Sequence, residues 1–177
     1  TNTKGRNIEM EAVIVIDMQH DFLDGTLANL EGMKLIEPMV NYLESIKDSM
    51  DIFFTRDTHQ ENYLDTQEGH YLPVKHCVQG SDGWQIIGPL LPYVDNDKII
   101  DKPTFGSLEL PEYVKGYDTI HLMGVCTDIC VISNAMILKA ACPDAKVIVH
   151  QDLCAGVSVE SHQTALNALK AVQVEIQ

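Results

Sequence analysis

Six short stretches of the chain are apolar at successive positions. Between most of them lie segments whose apolar residues recur every three or four positions. The first run, AVIVIDMQ at 12–19, is apolar on both faces and closes on an acid, as in a strand buried between two layers. Over 33–49, Leu35, Ile36, Met39, Val40, Leu43 and Ile46 stand at helical spacing. DIFFT at 51–55 predicts a second buried strand, followed by Asp57. KIID at 98–101, DTIHLMG at 118–124, KVIVH at 146–150 and VQVEI at 172–176 predict four more. Helices are expected over 84–94, from about 128 to 141, and over 159–170. Residues 57–83 follow neither period and hold Gly69, Pro73, Gly80 and Gly83. A loop of that length inside a compact domain is more often functional than idle.

Strands alternating with helices predict an α/β architecture: a mostly parallel sheet, helices on both faces, right-handed crossovers. In such sheets ligands bind beyond the carboxyl ends of the strands. No repeat, linker or low-complexity tract interrupts the pattern, so 1–177 reads as one domain, with the polar opening TNTKGRNIEM (1–10) expected to fray. At 45% hydrophobic and 21% charged residues, a chain of 177 residues can bury a core without disulfide or zinc staples. Its net charge of −14 repels a phosphate backbone and disfavours nucleic acid as a partner. The five cysteines (77, 126, 130, 142, 154) are odd in number and irregularly spaced. No basic segment followed by an apolar one opens the chain, and its apolar runs are too short for a bilayer. A reduced, cytoplasmic protein with no membrane partner is expected.

The strand ends carry the candidate chemistry: Asp17 after the first, Asp57 and His59 after the second, Lys102 after the third, Cys126 to Cys130 after the fourth. One acid at a strand end is usually a cap or turn residue, so the argument rests on convergence. In GVCTDICV (124–131), Thr127 or Asp128 can cap a helix whose first turn holds Cys130. Unpaired amides and the helix dipole there favour a thiolate, and the same amides can hold an oxyanion. A cation at Lys102 would add to that effect, while Asp17 could accept the thiol proton and return it to a leaving amine. His121 and His150 are the competing partners for a cysteine–histidine pair; His121 lies inside a strand and reads as a packed residue. In the long loop, Asp57-x-His59 with Glu68, His70 and His76 offers a mixed oxygen and nitrogen donor set suited to zinc, iron or manganese. Cys77 beside His76 reads as packing.

Together VIDMQHDF (15–22), FFTRDTH (53–59), LPVKHCVQGSDGW (72–84), DKPTFGS (101–107) and GVCTDICV resemble the isochorismatase-like cysteine hydrolases, and within them the nicotinamidases. The resemblance covers about 12–176. It implies a three-layer α/β/α fold with a six-stranded sheet and a catalytic triad of Asp17, Lys102 and Cys130. It also implies a cis peptide between Val125 and Cys126, with the amides of Cys126 and Cys130 facing an oxyanion. By the same resemblance Asp57, His59 and His76 hold a divalent metal, zinc first, with Glu68 as a fourth ligand in some members, and Phe22 packs on the substrate ring. The implied reaction converts nicotinamide or a similar small aromatic amide to the acid and ammonia, in a homo-oligomer (dimer or tetramer). One departure is an added residue in Tyr71-Leu72-Pro73-Val74-Lys75-His76, which puts Leu72 where an aromatic wall is expected. A metal-poor hydrolase of another amide, ureido or enol-ether substrate, and an inactive binding protein, are the alternatives.

Overall fold

The apolar run after Glu11 becomes the middle of the sheet. In the computed structural model, which describes residues 8–177, β1 (Glu11–Ile16) is followed by α1 (His20–Leu23), α2 (Leu30–Met33), α3 (Ile36–Ile46) and β2 (Asp51–Asp57). Then come α4 (Gln67–Tyr71), β3 (Ile99–Lys102), α5 (Leu110–Val114), β4 (Thr119–Val125), α6 (Ile132–Ala141), β5 (Lys146–Ala155), α7 (Val159–Ala171) and β6 (Glu175–Ile176). The strands run in the order β3-β2-β1-β4-β5-β6, and every pairing is parallel. β1 and β4 are buried on both faces because each has a strand on either side and helices above and below, which is why their sequences do not alternate.

From β1 the chain steps outward to β2 and β3, then returns to the far side of β1 as β4. The carboxyl ends of β1 and β4 therefore flank the point where the winding reverses, the place where open parallel sheets form a crevice. Right-handed crossovers set α3 on one face and α5, α6 and α7 on the other. Leu35, just before α3, and Met39 and Leu43 within it recur every four positions and are buried. Leu138 of α6 and Leu166 and Leu169 of α7 are buried in the same core.

Three expectations shift. The segment 84–94 is no α-helix: it forms 3₁₀ turns at Asp82–Trp84 and Gly88–Tyr93, where Pro89 and Pro92 remove donors an α-helix needs. The loop 57–83 folds locally into a 3₁₀ turn (Tyr63–Asp65) and α4, whose first turn is capped by the Thr66 hydroxyl accepting from the Gly69 amide at 3.0 Å. The sixth strand keeps only two residues, because α7 runs on to Ala171 and Gln173 then turns the chain with φ of 67°. At the amino end, the Met10 amide donates to Asp118 at 2.8 Å and the Thr119 hydroxyl to Glu9 at 2.7 Å, so these two residues are tied to the foot of β4. Residues 1–7 of the segment expected to fray lie outside the described residues. Among the described residues no helix is long and apolar enough to cross a membrane.

Candidate active site

Asp17 stands one residue beyond β1 with φ of 52°, a left-handed kink that turns its carboxylate inward, and it is fully buried. The Thr55 hydroxyl on β2 donates to its Oδ1 at 2.7 Å. Opposite Ile16 in the β1–β4 ladder sits Gly124, with φ of 121°; a Cβ there would lie 2.1 Å from the Ile16 carbonyl oxygen. Only glycine lets β4 approach so closely and still hand the chain to the turn that follows. That turn, Thr127–Val131, is wound one residue wide, with the Val131 amide donating to the Cys126 carbonyl at 3.1 Å. It follows the Val125–Cys126 peptide, which is cis. Cys130 lies in this turn, and Asp17 is near enough for its charge to raise the thiol.

Lys102 ends β3, opposite Asp57 in the β2–β3 ladder, and none of its surface is exposed. Its ammonium donates to the Thr104 carbonyl at 3.0 Å and lies 2.6 Å from Asp17 Oδ2 and 3.6 Å from Asp57 Oδ1. The contact with Asp17 is an ion pair rather than an aligned hydrogen bond, since Asp17 Oδ2 has no hydrogen-bond partner. Asp17, Lys102 and Cys130, far apart in sequence, thus share one buried corner.

Burial decides the protonation of that corner. It raises the Asp17 carboxyl above its ordinary range against the pull of Lys102. It would lower Lys102, but the facing charges of Asp17, Cys130 and Asp57 hold the ammonium above its usual value. The Cys130 thiol is pushed well up, by burial first and by Asp17 next, with Lys102 offsetting only part. The thiolate expected from the helix dipole and Lys102 is therefore opposed, since desolvation of the sulfur outweighs the pull of Lys102.

Beside this corner, Asp57, His59, Glu68 and His76 each turn one ligand atom toward a common point, all within 4.8 Å of one another. His59 Nε2 lies 2.9 Å from Asp57 Oδ2 and 3.3 Å from Glu68 Oε2, and His76 Nε2 lies 3.5 Å from Asp57 Oδ2. His76 Nδ1 donates to the Val74 carbonyl at 2.7 Å, which fixes the tautomer and leaves Nε2 for the centre. Asp57 Oδ1 is buried without a hydrogen-bond partner. Two imidazoles and two carboxylates, one of which carries an orphaned buried oxygen, fit a divalent cation. His70 is not in the cluster, and Cys77 is fully buried with a thiol far above its ordinary range, first through burial.

Both groups open onto one cavity of about 810 Å³, lined among others by Cys130, Cys126, Asp57, His76, Phe22 and Leu72. Phe22 meets His76 edge-on with ring centroids 5.5 Å apart. His121 and His150 do not line the cavity; they bond each other at 2.8 Å. Three supporting residues escaped the sequence reading. Gln19, fully buried, donates to the carbonyls of Asp57 and Trp84 and accepts from the Asp57 amide at 2.8 Å, pinning the metal cluster to β1. Asn134 of α6 donates to the carbonyls of Cys130 and Phe105 and accepts from the Ser107 amide, joining the cysteine turn to the segment after Lys102. Tyr63 packs against the rings of both His59 and His76. Only Gln19 left a signal, as a polar residue at the end of an apolar run.

The isochorismatase domain family matches residues 11–177 of the chain. The protein belongs to the isochorismatase family. An isochorismatase family protein of Bacillus subtilis is 30% identical to it over 89% of this chain and 92% of the relative. The nicotinamidase/pyrazinamidase of Mycobacterium tuberculosis is 27% identical, over 94% of this chain and 98% of that enzyme. Among solved structures, the zinc complex of Pyrococcus horikoshii pyrazinamidase superposes with a TM-score of 0.78 at 26% identity, covering 94% of this chain and 98% of that one. The isochorismatase fold, with its six parallel strands between helical layers, is thus the fold expected from the sequence, all-parallel where mostly parallel was predicted.

Proposed function

We propose that this isochorismatase-family protein is a cysteine amidase that converts nicotinamide, or a similarly small aromatic amide, to the carboxylic acid and ammonia. The observation that carries the reading is the grouping of the buried Asp17 and Lys102 with Cys130, which lines a cavity shared with Asp57, Glu68 and His76 of the two-histidine, two-carboxylate cluster. Attack begins with transfer of the Cys130 thiol proton, which burial holds on the sulfur, to Asp17, whose carboxyl burial raises and which serves as base and then as acid. The sulfur bonds to the amide carbon, and the carbonyl oxygen takes the negative charge between the amides of Cys126 and Cys130. Asp17 passes the proton to nitrogen, the carbon–nitrogen bond breaks, and ammonia leaves a thioester on Cys130. Asp17 then takes a proton from water, whose oxygen attacks the thioester carbon, and the acid departs as the thiol reforms. Lys102 stays charged throughout and balances the carboxylates.

Asp57, His59, Glu68 and His76 would hold the metal, zinc by preference for this donor set. A bound cation supplies a Lewis-acid contact for a ring nitrogen of the substrate. Phe22 supplies a ring edge on the same wall. Ammonia release from nicotinamide tests the reading: wild type is expected to turn over and Cys130→Ala to fall to background. No release by wild type, or equal release by the variant, overturns it.

A further inference from the structure

A single pyridine ring with its carboxamide fills only a small part of a cavity of about 810 Å³, a volume in the range that encloses drug-sized ligands. The remaining space has a definite chemistry. Beyond Phe22 and Cys130 its wall is built from Leu27, Leu30, Leu72 and Phe105, with Ile129 and Val157 at the cysteine side. Several of these apolar side chains face outward with nothing on them: Leu30 is 80% exposed, Val157 66%, Phe105 44% and Leu72 41%. Charge selects further. Apart from Asp57, Glu68 and His76 of the metal cluster, the charged side chain lining the cavity among the described residues is Glu31, which is already paired with Lys34 at 2.8 Å. Lys102 has no exposed surface and is committed to Asp17 and Thr104. Along the aliphatic wall, away from the metal cluster, an anionic substituent would find no free cation among the described residues, whereas an apolar one would cover exposed leucine and phenylalanine surface.

We propose that the aliphatic wall is a second subsite, and that the preferred substrate is an uncharged aromatic carboxamide carrying an apolar substituent that lies against Leu27, Leu30, Leu72 and Phe105. This rests on the amidase reading above and adds substrate size and charge to it. Leu72 lines that wall at 41% exposure, so a larger ring in its place would close the space.

The experiment compares ammonia release by the metal-replete, full-length protein from nicotinamide and from methyl, ethyl and propyl nicotinamides substituted at each free ring carbon in turn. Each methylene that becomes buried is expected to raise kcat/KM about fourfold along the series at one ring position. Leu72→Trp is expected to bring the ratio of propyl to unsubstituted substrate back to one or below. Hydrolysis of nicotinamide with no gain, or a loss, for every alkyl series overturns the second subsite and leaves the amidase intact. A carboxylate-substituted nicotinamide used as well as the best alkyl one overturns the charge selection. No release from any of these amides overturns both this inference and the amidase reading.

Discussion

Lys102 carries an ammonium with no exposed surface, between two buried carboxylates. Removing one partner from such a set is costlier than never having built it, because the remaining charges keep their desolvation and lose their attraction. Lys102→Met is therefore expected to lower the unfolding free energy by about 3–5 kcal/mol and to abolish turnover. Urea titrations of Lys102→Met, Asp17→Asn and the double variant check this: the double should lose less than the two single losses added together. Simple additivity would mean the two side chains do not act as a pair. Sequence alone could set this lysine at a strand end; it could not show that burial of the neighbouring sulfur would outweigh the cation. A pKa is set by how much water is removed as well as by which charges stand nearby, and only the three-dimensional enclosure of Cys130 reveals the first.

At the scale of elements, β4 and β5 are joined on one face by a ring pair outside the cavity. His121 Nδ1 and His150 Nε2 lie 2.8 Å apart, His121 Nε2 lies 3.0 Å from Glu11, and the Tyr42 ring of α3 packs on His150 at 5.0 Å. Burial, then the neighbouring His121, lower the His150 pKa from 6.5 to about 4. Between those values the unfolded chain binds a proton that the folded chain refuses, so stability is complete above about 6.5 and declines as the pH falls toward 4. Urea midpoints at pH 7 and pH 5 should differ more for wild type than for His150→Gln; equal differences would remove the pair from the acid response. The elements themselves were legible where one periodicity held over enough residues, as in β1, α3 and β4. They were obscured where local chemistry overrode the pattern: Pro89 and Pro92 in the 3₁₀ segment, the Thr66 cap in the long loop, and the left-handed Gln173 before β6.

Across the whole molecule, the site is an outcome of winding order. Asp17, Asp57, Lys102 and Cys130 each follow or end a strand, and the order β3-β2-β1-β4 brings those four ends side by side. The candidates could therefore be picked from the sequence as strand-end residues. Asn134 could not, because its partners are backbone groups whose positions no residue pattern encodes, and Gln19 stood out only as a polar end to an apolar run. The same juxtaposition makes the metal cluster a junction between β2 and the long loop, since Glu68 and His76 reach it from separate turns of that loop. A cation there would bind the folded chain and not the unfolded one, so it should stabilise the whole fold by about 2.7 kcal/mol at a free concentration a hundredfold above its Kd. Dialysis against a chelator is thus expected to lower Tm and remove amidase activity, and zinc to restore both. His76→Ala, which deletes a donor, should show no zinc-dependent rise in Tm at matched concentrations. A wild-type Tm that neither falls with the chelator nor rises with added zinc would leave the four side chains as an ion-pair cluster, held together by the contacts of His59 and His76 with Asp57 and Glu68 alone.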